Sequence, residues 1–174
     1  MSAATTPNVT CMPLAREFED LFQEHSQLLY RTAYSLLDNQ ADAEDVLQTI
    51  FLRLLRNGLP SGFHKNPKGY LYRAAVNAAL DTIRARKRHE SADGVPVETV
   101  DVHSVEEQHH RLTEALAEMD AQAAEILVLK YVHSYKDADI AKIIGTSRGA
   151  IAMRLLRSRS KLKKLMRDLS EEKK

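Results

Sequence analysis

Arginines recur through the stretch from Ala138 to Leu162, "ADIAKIIGTSRGAIAMRLLRSRSKL". Guanidinium groups at helical spacing bind phosphate oxygens and the acceptor edges of guanine. Ile140, Ala141, Ile143 and Ile144 predict a short apolar helix. Gly145 follows it, free to take the positive φ of a tight turn. Thr146 and Ser147 then offer hydroxyls to cap a second helix. That helix is expected to turn Ile151, Leu155 and Leu162 inward. Arg148, Arg154, Arg157, Arg159 and Lys161 are expected largely elsewhere. This is the pattern of a helix-turn-helix whose second helix enters a major groove. A solvated basic face on a helical bundle would carry the same charge, but not Gly-Thr-Ser where the turn needs it.

A second constellation lies in "NPKGYLYRAAVNAALDTIRARKRH". Tyr70, Arg73, Asn77 and Arg84 fall at i, i+3, i+7 and i+14, on one helical face. An aromatic ring, an amide and guanidinium groups in one stripe can stack on an unpaired base and hold phosphate. The loop before it adds Phe63, His64, Lys65 and Asn66. Tyr70 and Tyr72 could equally be core aromatics. A third stripe, Asp45, Gln48 and Leu52, lies opposite an apolar face and could dock on another protein's helix. Taken alone, an ordinary solvated face with one stray leucine explains it at least as well.

Other chemistries lack their residues. One cysteine excludes an internal disulfide, and the seven histidines show no metal-ligand spacing. No Gly-rich phosphate loop, nucleophile elbow or paired catalytic carboxylates occur. The pattern therefore calls for no metal, no cofactor and no small-molecule substrate, and predicts a protein that is not an enzyme. Neither a signal peptide nor an apolar run of membrane-spanning length is visible, which predicts a cytoplasmic protein.

The elements that position these residues are all helical. Phe18, Leu21, Phe22, Leu28, Leu29, Ala33 and Leu36 mark a first amphipathic helix. A second, about Asp42 to Arg56, is expected to bury Val46, Leu47, Ile50, Phe51, Leu54 and Leu55. "NGLPSGFHKNPKG" reads as a loop. Asn66-Pro67 reads as N-cap and N1 of a third helix reaching about Arg86. Residues 89–110 are acidic and read as a flexible linker. A second helical block begins near Arg111, with Leu112, Leu116, Met119, Ile126, Leu127, Leu129 and Val132 in its core. The expectation is an all-α chain of two small domains, 14–88 and 111–168. A disordered arm (1–13) precedes them and a charged tail (169–174) follows. Net charge alternates along the chain, about −4 over 1–60, +6 over 61–89, −9 over 90–125 and +8 beyond. Two basic blocks suit two nucleic-acid contacts.

In this order and spacing the three motifs resemble a sigma-70 family RNA polymerase sigma factor of the extracytoplasmic-function (ECF) group. "DAEDVLQTIFLRL" is similar to the family's polymerase-binding helix. The resemblance implies that Asp45, Gln48 and Leu52 meet the clamp helices of the β′ subunit. "GYLYRAAVNAALDTIR" is similar to the helix that melts and reads the −10 element. This implies −10 and melting roles for Phe63, Lys65, Asn66, Tyr70, Arg73, Asn77 and Arg84. "YVHSYKDADIAKIIGTSRGAIAMRLLRSRSKL" is similar to the −35 reader. There Thr146, Ser147, Arg148, Arg154 and Arg157 are the implied contacts. Tyr70 and Leu55 stand where the family often has Trp, and Ala152 where Lys is common. Implied partners are core RNA polymerase (β′ clamp helices, β flap), promoter DNA and an anti-sigma factor. The alternative is a stand-alone helix-turn-helix regulator with an N-terminal sensing or dimerisation domain.

Overall fold

The computed structural model describes residues 11–93 and 105–171. Seven α-helices carry them: α1 (Cys11–Leu37), α2 (Gln40–Asn57), α3 (Pro67–Asp93), α4 (Val105–Ala117), α5 (Ala121–Tyr131), α6 (Asp137–Ile144) and α7 (Arg148–Glu171). A single 3-10 turn, Phe63–Lys65, precedes α3.

Local chemistry sets the helix starts. Asn39 Oδ1 accepts from Asp42 N at 3.0 Å, and Asp120 Oδ1 from Ala123 N at 2.9 Å. Asn66 Oδ1 accepts from Gly69 N at 2.9 Å, with Pro67 at the first helical position. Each is a side-chain cap on one of the first-turn N–H groups left without a helical partner.

The first three helices pack on each other through period-matched apolar faces. Leu29, Ala33 and Leu36 of α1 and Val46, Ile50 and Leu54 of α2 are buried in one core, and the two helices pack on each other. Leu71, Ala75, Val76, Ala79 and Leu80 of α3 close the layer. Ala33, Ala75 and Ala79 are fully buried, and their small side chains let backbones approach closely. Ile126, Leu129, Ile140, Ile151 and Leu155 form the core of the second half. Burying one such Leu or Ile contributes about 1.5–3 kcal/mol.

Several boundaries differ from expectation. Cys11–Pro13, read as part of the arm, begin α1, while residues 1–10 lie outside the described residues. Helix α3 continues to Asp93, and α4 begins at Val105, so both run into the stretch read as linker. Residues 94–104 lie outside the described residues, as do 172–174 of the tail. Phe22, Leu55 and Val132 were expected inside and are instead exposed. Phe22 keeps one edge-on ring contact with Phe51, centroids 4.9 Å apart.

The two halves meet along α3. One face of that helix packs on α1 and α2, and another meets α4, α5 and α6.

Candidate nucleic-acid interface

The turn of the helix-turn-helix follows directly from its residues. Gly145 ends α6 at φ 78°, the left-handed region open to glycine. The N–H groups of Gly145 and Thr146 both donate to Ala141 O at 2.9 Å. Of the two expected capping hydroxyls, Ser147 does the work: its Oγ accepts from Ala150 N at 3.2 Å. Ile151 and Leu155 then seat α7 on the core.

The first four arginines of α7 divide between two sides. Arg148 is exposed at its first turn. Its charge, with that of Arg159, reaches Asp137, whose carboxyl a hydrogen bond from Lys130 (2.6 Å) holds below its ordinary range. Arg157 is also exposed, but nine residues make two and a half turns, so it points half a turn away from Arg148. Arg154 and Thr146 line a cleft shared with Arg73 and Glu125. Arg148 and Arg159 thus lie on one side of α7, and Arg154 and Arg157 on the other. Between them Met153 and Leu156 are exposed, and neither was singled out from sequence. Their apolarity suits thymine methyl groups in a major groove.

On α2 the Asp45, Gln48 and Leu52 stripe is open to solvent, as its spacing predicts. Leu52 is 46% exposed and Leu55 54%. Leu55 was assigned to the core, yet it lies about 60° from Leu52 around the helix. It widens the exposed stripe to two leucines.

The α3 face is the most altered. Phe63 is not presented to a ligand: it is buried, edge-on to the half-buried Tyr70 at 5.4 Å. Lys65 is exposed. Asn66, besides capping α3, donates from Nδ2 to Ile143 O of α6 at 2.6 Å. Arg73 Nε donates to Glu125 Oε2 of α5 at 3.3 Å. Arg84 Nε donates to Ala117 O at 2.8 Å, and Nη2 to Met119 O at 3.3 Å. Asn77 is half-buried, and its Oδ1 is buried without a hydrogen-bond partner. Of the stripe Tyr70, Arg73, Asn77 and Arg84, the two arginines are taken by the second half of the same chain, as is Asn66 before it.

Two titratable groups at this junction escaped sequence reasoning. Glu125 is 1% exposed, and burial pushes its carboxyl up from its ordinary value against the pull of Arg73 and then Arg154. His133 sits edge-on to the buried Tyr72 at 5.5 Å, its Nε2 2.9 Å from Thr32 Oγ1. Thr32 gives its own proton to Leu28 O at 2.8 Å, so His133 Nε2 is the donor between them. Burial first, then the charges of Arg31 and Lys68, hold this imidazole below its ordinary value. Both residues were hidden because their partners lie 52 and 101 positions away.

Among the described residues no three His, Cys, Asp or Glu side chains converge as a metal site. No described helix is long and apolar enough to cross a membrane.

Known proteins resemble the chain over most of its length. The Sigma-70 region 2 model matches residues 21–89 and the Sigma-70 region 4 model residues 109–162. The chain is 30% identical over 156 residues to the ECF RNA polymerase sigma factor SigM of Mycobacterium tuberculosis, spanning 86% of this chain and 76% of that one. It is 30% identical over 163 residues to the RNA polymerase sigma factor CarQ of Myxococcus xanthus, 89% and 92% of the two chains. SigW of Bacillus subtilis, another ECF sigma factor, is 26% identical over 170 residues, 87% and 90%. Among solved structures, CnrH in complex with the cytosolic domain of CnrY shares the fold at a TM-score of 0.52. That match covers 88% of this chain and 90% of CnrH at 22% identity.

Proposed function

The chain belongs to the sigma-70 family of RNA polymerase sigma factors, in its ECF group, and from that premise we propose how its surfaces divide the work. The protein binds core RNA polymerase and directs it to promoters. The family is a non-enzymatic initiation factor, and the phosphodiester chemistry belongs to the polymerase. One observation carries the division of labour: a solvent-facing Asp45/Gln48/Leu52 stripe, an aromatic–amide–guanidinium face and a helix-turn-helix follow one another in one chain.

In our reading, α2 docks on the β′ clamp helices through Asp45, Gln48, Leu52 and Leu55. The α3 face captures an unstacked base of the non-template strand, at a cost of a few kcal/mol of unpairing. Asn77, with an idle carbonyl oxygen, supplies the hydrogen-bonding edge. Helix α7 enters the −35 major groove with Arg148 over bases and Arg157 on phosphate. An apolar groove lined by Leu112, Leu116, Leu127, Val128, Tyr131 and Val132 offers the second half a protein-docking surface for the β flap. An anti-sigma factor that covers these surfaces is the natural regulator, and the polymerase places the protein in the cytoplasm. A stand-alone regulator would leave the region 2 match and the α2 stripe without a use.

Transcription by core polymerase on a genomic library, with and without the protein, tests the reading. The expected result is a discrete set of new start sites sharing two upstream elements. Start sites identical to those of core alone would overturn it.

A further inference from the structure

Two arginines from opposite halves of the chain converge on one cleft of about 280 Å³. Arg73 of α3 and Arg154 of α7 line it, with Ile144 and Thr146 around the α6–α7 turn and Glu125 of α5. Arg73 gives its Nε to Glu125 Oε2, while its terminal nitrogens make no hydrogen bond to a described residue. Arg154 is exposed and forms no ion pair with a described residue. Thr146 is half-buried and caps nothing, since Ser147 takes the first-turn N–H of α7.

Glu125 shows which kind of partner is missing. It is 1% exposed, and its Oε1 is buried without a hydrogen-bond partner. Burial pushes this carboxyl up from its ordinary value, against the pull of Arg73 and then Arg154. Tyr72, whose hydroxyl is also buried and unpartnered, is the other titratable group that feels it. Arg73 occupies Oε2, so the proton of the neutral acid sits on Oε1, a donor with nothing to donate to. An acceptor in the cleft meets that donor and two guanidinium forks together.

We propose that this cleft binds the phosphate group of a small phosphomonoester, held between Arg73 and Arg154 with Thr146 Oγ1 and Glu125 Oε1 as further donors. The site stands on the geometry of the cleft, independently of the sigma-factor reading.

Charge and space select the class. Two guanidinium groups match the charge of about −1.5 to −2 that a phosphomonoester carries at neutral pH. A phosphodiester in a nucleic-acid backbone carries only one charge, and its chain continues on both sides. Small-molecule sites run from about 300 Å³ upward. The cleft lies at the small end of that range, which suits a phosphate on a sugar-sized body, with the half-buried Ile144 against its carbon part.

Isothermal titration of the full chain with ribose 5-phosphate and with dimethyl phosphate tests the site. Low ionic strength keeps the exposed guanidinium groups least screened. We expect one ribose 5-phosphate per chain, with a Kd below about 1 mM, and dimethyl phosphate at least about tenfold weaker. Arg154→Ala, at an exposed position, should weaken ribose 5-phosphate at least about tenfold. Lys164→Ala removes the same charge from an exposed position of α7 outside the cleft and should bind like wild type. Glu125→Gln keeps an oxygen for Arg73 and a donor for the phosphate, so it should bind at least as tightly as wild type. At about pH 8, titrations in buffers of different ionisation enthalpy should show proton uptake on binding to wild type and none with Glu125→Gln. No saturable binding, an equal loss in Lys164→Ala, or no proton uptake by wild type would each overturn the site. Loss of binding in Glu125→Gln would mean that the ionised carboxylate takes the ligand, and would overturn the assignment of an anion. Dimethyl phosphate binding as tightly as ribose 5-phosphate would make the cleft a contact for nucleic-acid backbone and overturn the small ligand.

Discussion

Replacing Arg73 by alanine strips the ion-pair partner from a carboxylate that has almost no water. Glu125 is 1% exposed, its Oε2 lies 3.3 Å from Arg73 Nε, and its Oε1 has no hydrogen-bond partner. Breaking a buried pair from one side costs about 3–5 kcal/mol when nothing replaces the lost charge. Arg73 is itself 46% exposed, so solvent screens the pair, and Arg154 also pulls on the carboxyl. The expected loss is therefore about 1–3 kcal/mol. At about 2–4 °C per kcal/mol for a chain of this size, Tm should fall by roughly 5 °C. The dependence on pH separates electrostatics from packing. Burial already raises the folded-state pKa of Glu125 above its ordinary value of 4.5. The folded chain thus binds the extra proton, and the contribution is full below the unfolded value and lost as pH rises through the raised one. Without Arg73 that pKa rises further, so the penalty grows and reaches to higher pH. The deficit of Arg73→Ala against wild type should be greatest near about pH 8 and shrink toward about pH 5. Adding Glu125→Gln should restore most of the lost Tm by removing the stranded charge. Thermal melts followed by far-UV circular dichroism across that range read all three chains. A deficit that is constant with pH, or that Glu125→Gln leaves untouched, would show that Arg73 stabilises through its stem and not its charge.

Four further outcomes follow from the placements above. His133 has its folded-state pKa lowered by burial and by Arg31 and Lys68, with Tyr72 and Tyr135 against its ring. Stability should be full above the ordinary imidazole value and fall as pH drops toward the lowered one, a pH dependence of Tm that His133→Ala should abolish. Asp45→Ala with Gln48→Ala should weaken capture by core polymerase in a pull-down while leaving helicity unchanged, because both side chains face solvent. Asn77→Ala should impair promoter opening more than closed-complex formation, read as lost permanganate reactivity of thymines. Arg148→Ala should relax −35 sequence preference, at about 1–3 kcal/mol on the best site, whereas Arg157→Ala should weaken all sequences alike and flatten the salt dependence by about one charge. Selection from random −35 sequences at two salt concentrations distinguishes these two, and an unchanged motif with Arg148→Ala would remove it from the bases.

The order of helices, their caps and the helix-turn-helix were legible because each depends on neighbours within a turn or two. Asn66-Pro67 starts α3, Gly145 ends α6 and Ser147 caps α7, all read from adjacent residues. The solvent-facing stripe on α2 was legible too, since helical spacing alone separates Asp45, Gln48 and Leu52 from Val46, Ile50 and Leu54. Hydrophobicity misplaced Phe22, Leu55 and Val132, because an apolar residue at the edge of a stripe is buried only if a neighbouring element reaches it. The helical ends of α3 and α4 were read as linker from their acidic composition, which does not forbid a helix that packs elsewhere. What sequence could not supply is the state of the α3 face. Asn66, Arg73 and Arg84 are donors to any acceptor of suitable geometry, and in this chain the acceptors are Ile143 O, Glu125, Ala117 O and Met119 O. Those groups lie 33 to 77 residues away along the chain. Residue type and spacing therefore determined which groups the α3 face offers. Only the packing of α4, α5 and α6 against it decided what it holds, because a hydrogen bond needs its partner within about 3 Å and the chain brings those partners there only on folding.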